Sequence, residues 1–178
     1  MNQHRPSLLY PFTVGLLLGL LQSGLFFQLT FTLSSGFGTY LLITLCWLAG
    51  SVIGVYFVQG LSVSLSGLLV IMLFAYIACA WLVNNHPYDS RALPLYGALI
   101  VTAGFYPGVF FARASRAYTA KTLFFWENNG FIIGLVSCSI LFMLLGRLSL
   151  WVTPAIFAAI LWIAFHSTHR SGNLNPAR

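Results

Sequence analysis

Asp89 and Glu127 are the only two acidic residues among 178, and Glu127 is the one set in an apolar stretch. Residues 123–134 read LFFWENNGFIIG, so Asn128 and Asn129 follow it directly. A carboxylate beside two carboxamides can bind a cation, accept a proton, or anchor a helix through an ion pair or hydrogen bond. Gln22, Ser23 and Gln28 place two more amides and a hydroxyl in the first apolar stretch, where Gln22, near the centre, needs a partner inside the bundle as structural glue or as part of a polar cavity. Little else in the chain is equipped for chemistry. Hydrolysis at membrane depth calls for a Ser/His, paired-Asp or HExxH set. The two acids lie far apart, and His4, His86, His166 and His169 sit in polar segments or at the end of the last apolar stretch. Haem ligation between helices would need facing histidines deep inside them. Cys46, Cys79 and Cys138 lie singly in apolar surroundings with no CxxC or Cys/His neighbour, as small packing residues do. The chain is expected not to be an enzyme, and to need neither cofactor nor metal.

The elements that must position these groups follow from composition. Hydrophobic residues make up 59% of the chain and charged residues 6%, whereas a water-soluble domain carries about a quarter charged residues. Repeated apolar runs of about 20 residues predict an all-α polytopic membrane protein. Six transmembrane helices are expected, at about 10–33, 39–59, 61–83, 93–112, 122–145 and 148–166, forming a single membrane domain over 1–178. The break at Gln59-Gly60 is the weakest of the turn signals. The longest connection, NNHPYDSRALP, carries turn formers, with Pro87 and Pro94 restricting the backbone at its two ends.

Orientation follows from the basic residues. Arg5, Arg113, Arg116, Lys121, Arg170 and Arg178 fall on the side of the termini, and Arg91 and Arg147 on the other. That asymmetry places both termini in the cytoplasm of a multi-pass inner (plasma) membrane protein. The first apolar run lacks an A-x-A cleavage site and reads as a retained span. The net charge of +6 is spread between apolar runs and forms no clustered stripe, so nucleic acid is not an expected partner. The lipid bilayer is.

Small residues at four-residue spacing mark packing faces: Gly15, Gly19 and Ser23; Cys46, Gly50 and Gly54; Gly104 and Gly108; Gly130, Gly134 and Cys138. Gly24, Gly50 and Gly54 recur as Gly104, Gly130 and Gly134 at a constant offset of 80, which suggests a 3+3 inverted repeat. Pro107 should kink the fourth span, either to shape it or to mark a binding site. At 100° per residue Glu127 shares the face of Gly130, Gly134 and Cys138, while Asn128 and Asn129 point elsewhere. Glu127 stands roughly 8 Å past Thr122, near the cytoplasmic boundary. With Arg113, Arg116 and Lys121 nearby, a structural ion pair or hydrogen-bonded anchor joining the fifth span to the loop before it is the expected role, and a cation- or proton-binding group the other.

Three stretches, SSGFGTYLLITLCWLAGSVIG, ALIVTAGFYPGVFFARA and LFFWENNGFIIG, resemble the membrane domain of bacterial spermidine-synthase-like proteins, itself similar to half of a major-facilitator transporter. The resemblance implies a membrane domain without the aminopropyltransferase domain that usually accompanies it, so polyamine synthesis is not carried over. It places Glu127 where the family has an asparagine. The charged pair common in the family's first span has no counterpart beside Gln22 and Gln28.

These readings lead to one expected function and one alternative. The expected function is a non-catalytic accessory or scaffold subunit, with a protein partner or a second copy of the chain. The alternative is a small-molecule or ion transporter acting as a homodimer of six-helix halves, with Glu127, Asn128, Asn129 and Gln22 along its route.

Overall fold

The computed structural model describes residues 7–33, 36–58 and 64–172. His4, Arg5, Arg178 and the expected break at Gln59-Gly60 lie outside the described residues. The described chain is all-helical: α1 (Leu9–Thr32), α2 (Phe37–Phe57), α3 (Leu65–Asn85), α4 (Leu93–Ala114), α5 (Ala120–Leu145) and α6 (Arg147–Gly172), with one 3₁₀ turn at Ser90–Ala92 before α4. Five of these helices are long and apolar enough to cross a membrane. In α6 the described apolar stretch is Arg147–Ile163. Helices answer the demand of a lipid environment, where every backbone N–H and C=O must be paired within the segment. Their ends follow local rules. Ser64 caps α3 by accepting from the Gly67 N–H at 3.1 Å, and Thr119 caps α5 by accepting from the Thr122 N–H at 3.4 Å. Pro94 occupies the first turn of α4, where it removes no helical bond. Gly146, at φ +66°, ends α5 in a conformation that few other residues adopt.

Two tight pairs organise the bundle. α1 packs chiefly on α5, and α2 chiefly on α4; α3 bridges α4 and α1, and α6 closes against α1, α5 and α3. The interior is filled by Leu17, Leu21, Leu25, Met72, Tyr76, Tyr106, Val109 and Phe110. α2 and α5 are peripheral, with Val52, Tyr56 and Phe57 on one and Phe124, Ile132, Met143 and Leu144 on the other turned outward.

The four glycine motifs meet one another. In the α1–α5 pair a Cβ on Gly15 would overlap the Glu127 carbonyl, one on Gly19 the Phe131 carbonyl, one on Gly130 the Phe12 carbonyl and one on Gly134 the Leu16 carbonyl. In the α2–α4 pair Gly104 lies in the same way against Trp47, Gly108 against Ser51, Gly50 against Val101 and Gly54 against Phe105. Such approaches bring glycine Cα–H groups onto carbonyl oxygens and maximise backbone packing where lipid offers no hydrophobic drive. Every contact of one pair maps onto the other when α2 positions are raised by 80 and α4 positions lowered by 89. The expected equivalence of Gly24 with Gly104 does not fit this register. Gly24 lies against the Tyr76 hydroxyl, and Gly15 occupies the place that corresponds to Gly104.

Pro107 is buried within α4, which continues as helix through it to Ala114, beside the glycine contact at Gly108. The termini of the bundle are tied by hydrogen bonds. At the start of α1, the Tyr118 hydroxyl donates to the Ser7 carbonyl at 2.9 Å; burial raises its phenol pKa, so the donor is kept. At the opposite end the Arg147 guanidinium donates to the Thr32 hydroxyl, and the Asn84 amide donates to Gln28 Oε1 at 3.1 Å. The Tyr76 hydroxyl donates to the Leu150 carbonyl at 2.5 Å, fixing α6 to α3.

Candidate functional site

The buried residues of α5 are Leu123, Glu127, Gly130, Gly134 and Cys138, the single face that helical spacing marks. Glu127 is therefore carried into the α1–α5 seam by its own helix, with its backbone carbonyl against Gly15. It is 7% exposed. Among the described residues its carboxylate has no hydrogen bond or ion pair, and the expected pairing with Arg113, Arg116 or Lys121 is not formed. The reason is geometric. The rotation that sets Glu127 above Gly130 turns it toward α1, whereas Arg116 and Lys121 are exposed.

Asn128 and Asn129 do not join it. Both are exposed on the outer side of α5, and the Asn129 amide donates to the Phe125 carbonyl of its own helix at 2.6 Å. Asn128 makes no side-chain hydrogen bond among the described residues. Gln22 sits apart from all three, half-buried at the wall of a cavity between α1, α2 and α5. The structure thus divides the four polar candidates among a helix seam, an outer face and a cavity.

That cavity has a volume of about 380 Å³. Its polar lining is Gln22 and Ser23 from α1, Tyr40 and Thr44 from α2, and Ser139 from α5; Phe26, Phe27, Ile43, Phe131 and Leu135 supply the apolar walls. It lies beyond the glycine contacts of α1, where ring side chains replace glycine: Phe27 and Phe142 stack at 4.9 Å between centroids. Tyr40 and Thr44 lie within one of the three stretches that carry the resemblance and Ser139 in none of them, and no spacing in the sequence marks any of the three. Each is a single hydroxyl on a different turn, and only the packing of α2 and α5 around α1 assembles them. Among the described residues no three His, Cys, Asp or Glu side chains come together as a metal-binding group.

A second polar site links helices away from the cavity. Gln28 is fully buried, with Oε1 bonded to Asn84 and Nε2 without a hydrogen-bond partner among the described residues. The Asn84 amide is also bonded to the Ala80 carbonyl at 2.7 Å, and its bond to Gln28 joins α1 to α3.

No protein family, characterised protein or solved structure matches the chain. The resemblance to the membrane domain of spermidine-synthase-like proteins rests on the three motif stretches alone.

Proposed function

We propose that the chain is a non-catalytic integral membrane protein, an accessory or scaffold subunit of a larger complex in the cell inner membrane, with both termini cytoplasmic. The observation that carries this reading is Asn128. It lies on the outer face of α5, a peripheral helix, about 12 Å along the axis from Ala120. Even near the cytoplasmic boundary, a carboxamide on a lipid-facing surface without a partner carries a cost, and interhelical hydrogen bonding to a neighbouring protein relieves it. The surrounding Phe124, Phe125, Ile132 and Ile133 give a partner helix an apolar surface on either side of the amide.

A photo-crosslinking amino acid placed at position 128 in native membranes tests the reading. Adducts with a different protein are the expected result, and adducts with lipid alone would overturn it.

One observation favours the second reading, a homodimeric transporter. The contact-for-contact correspondence of the α1–α5 and α2–α4 crossings is what an inverted repeat would produce, and such repeats build many transporters. In that reading Glu127 is the ion- or proton-binding group, and the adduct at position 128 would be a dimer of the chain itself.

A further inference from the structure

Hydroxyl side chains inside apolar helices ordinarily bond to the carbonyl four residues back. Thr102 does so to Ala98 at 2.9 Å, Ser139 to Leu135 at 3.0 Å and Ser51 to Trp47 at 3.1 Å. Ser23 does not. It is only 9% exposed, it lines the α1–α2–α5 cavity, and its hydroxyl has no hydrogen bond among the described residues. The Gln22 amide and the Thr44 hydroxyl, also on the cavity wall, are equally without a hydrogen bond among the described residues. Three unsatisfied polar groups from two helices thus face one space. At membrane depth such groups need partners, and a cavity of about 380 Å³ is within the size range of small-molecule sites.

We propose that this cavity binds a lipid-soluble molecule with a neutral, oxygen-bearing head on an apolar tail. Its chemistry follows from the lining. Gln22 offers both a donor and an acceptor, and Ser23 and Thr44 offer hydroxyls that do either. No lining residue is charged, so a phosphate or ammonium head would be buried without a counter-charge. Gln22 stands about 20 Å along α1 from Leu9 and about 15 Å from Thr32, near the middle of the span. Phe26, Phe27 and Ile43 receive the apolar part. A quinone ring and a diacylglycerol ester head share this chemistry, and separate probes distinguish them.

The test is thermal unfolding of the purified full chain in maltoside micelles, titrated with decylubiquinone, dioctanoylglycerol or dodecyl phosphate. A saturable rise in unfolding temperature with at least one neutral probe, and none with dodecyl phosphate, is expected. Ser23→Ala and Gln22→Leu should each weaken apparent binding about fivefold, the worth of one hydrogen bond. Thr44→Phe and Ser139→Phe fill the cavity from opposite sides; each should abolish saturation while the unliganded protein still unfolds cooperatively. The proposal is overturned if neither neutral probe saturates, if dodecyl phosphate binds in their place, or if both filled variants bind like the parent.

Discussion

At the α2–α4 crossing the residue whose carbonyl meets Gly104 is Trp47; at the α1–α5 crossing the residue whose carbonyl meets Gly15 is Glu127. The two side chains are almost equally hidden, at 5% and 7% exposure, and the surrounding backbone contacts correspond one for one. Burial and backbone geometry are therefore shared, and only the side-chain chemistry differs. Glycine supplies the close approach in both crossings, because it is the absent Cβ and the exposed carbonyl that let the backbones touch. The glycine contacts themselves involve only the backbone of Glu127. Its carboxylate is an addition to a contact that Trp47 shows can be built from an apolar residue.

The largest effect should come from the glycines. Gly15→Leu and Gly104→Leu each drive a side chain into a facing backbone, which cannot move aside as a flexible side chain would. Losses at or above about 3 kcal/mol, the upper end for overpacked interiors, are expected. Both variants should lose the cooperative unfolding transition in detergent, while Gly38→Leu, with no described residue within 4 Å of its Cβ position, should keep it. If only one of the two crossings failed, their equivalence would be broken.

The next contrast is one of sign. Trp47→Leu leaves a void beside Gly104 and should destabilise the protein by roughly 2–3 kcal/mol. Glu127→Leu removes a buried carboxylate with no ion pair among the described residues and should stabilise it by about 1 kcal/mol or more. Glu127→Gln should fall between Glu127→Leu and the parent. Reversible unfolding in mixed micelles reads all three. A destabilising Glu127→Leu would show that the carboxylate holds a favourable contact and that the crossings differ in more than one side chain.

How far the sequence reached differs between fold and site. The helices are legible because a run such as residues 67–83 is apolar all round, and in lipid such a run has few structural choices. The inward face of α5 is legible too, since 100° per residue aligns Glu127 with Gly130, Gly134 and Cys138. The pairing of glycine faces is not, because Gly15, Gly50, Gly104 and Gly130 are chemically identical. Their partners are set by how six helices fill one volume, and this is why an offset of 80 suggested Gly24 for the place that Gly15 holds. The cavity is least legible of all. Ser23 read as a packing residue on a small-residue face, and its free hydroxyl is visible only against the bonded hydroxyls of Ser51, Thr102 and Ser139.

The smallest effect should separate the crossings at a second position. Ser51 of α2 corresponds to Phe131 of α5, and its hydroxyl lies 3.0 Å from the Gly104 carbonyl across the helix boundary as well as 3.1 Å from its own Trp47 carbonyl. One proton serves both acceptors, so removing it leaves each with its backbone partners and costs little. Interhelical hydrogen bonds within membranes average about 0.6 kcal/mol, and Ser51→Ala should lose about that much. Ser139→Ala, whose hydroxyl bonds only within α5, should lose less in the unliganded protein. A loss at Ser51 as large as that at Trp47 would mean that the α2–α4 crossing is held by its hydrogen bond. A small loss leaves the four glycine–carbonyl contacts as the common source of cohesion in both crossings, with Glu127 and Ser51 as additions to the same frame.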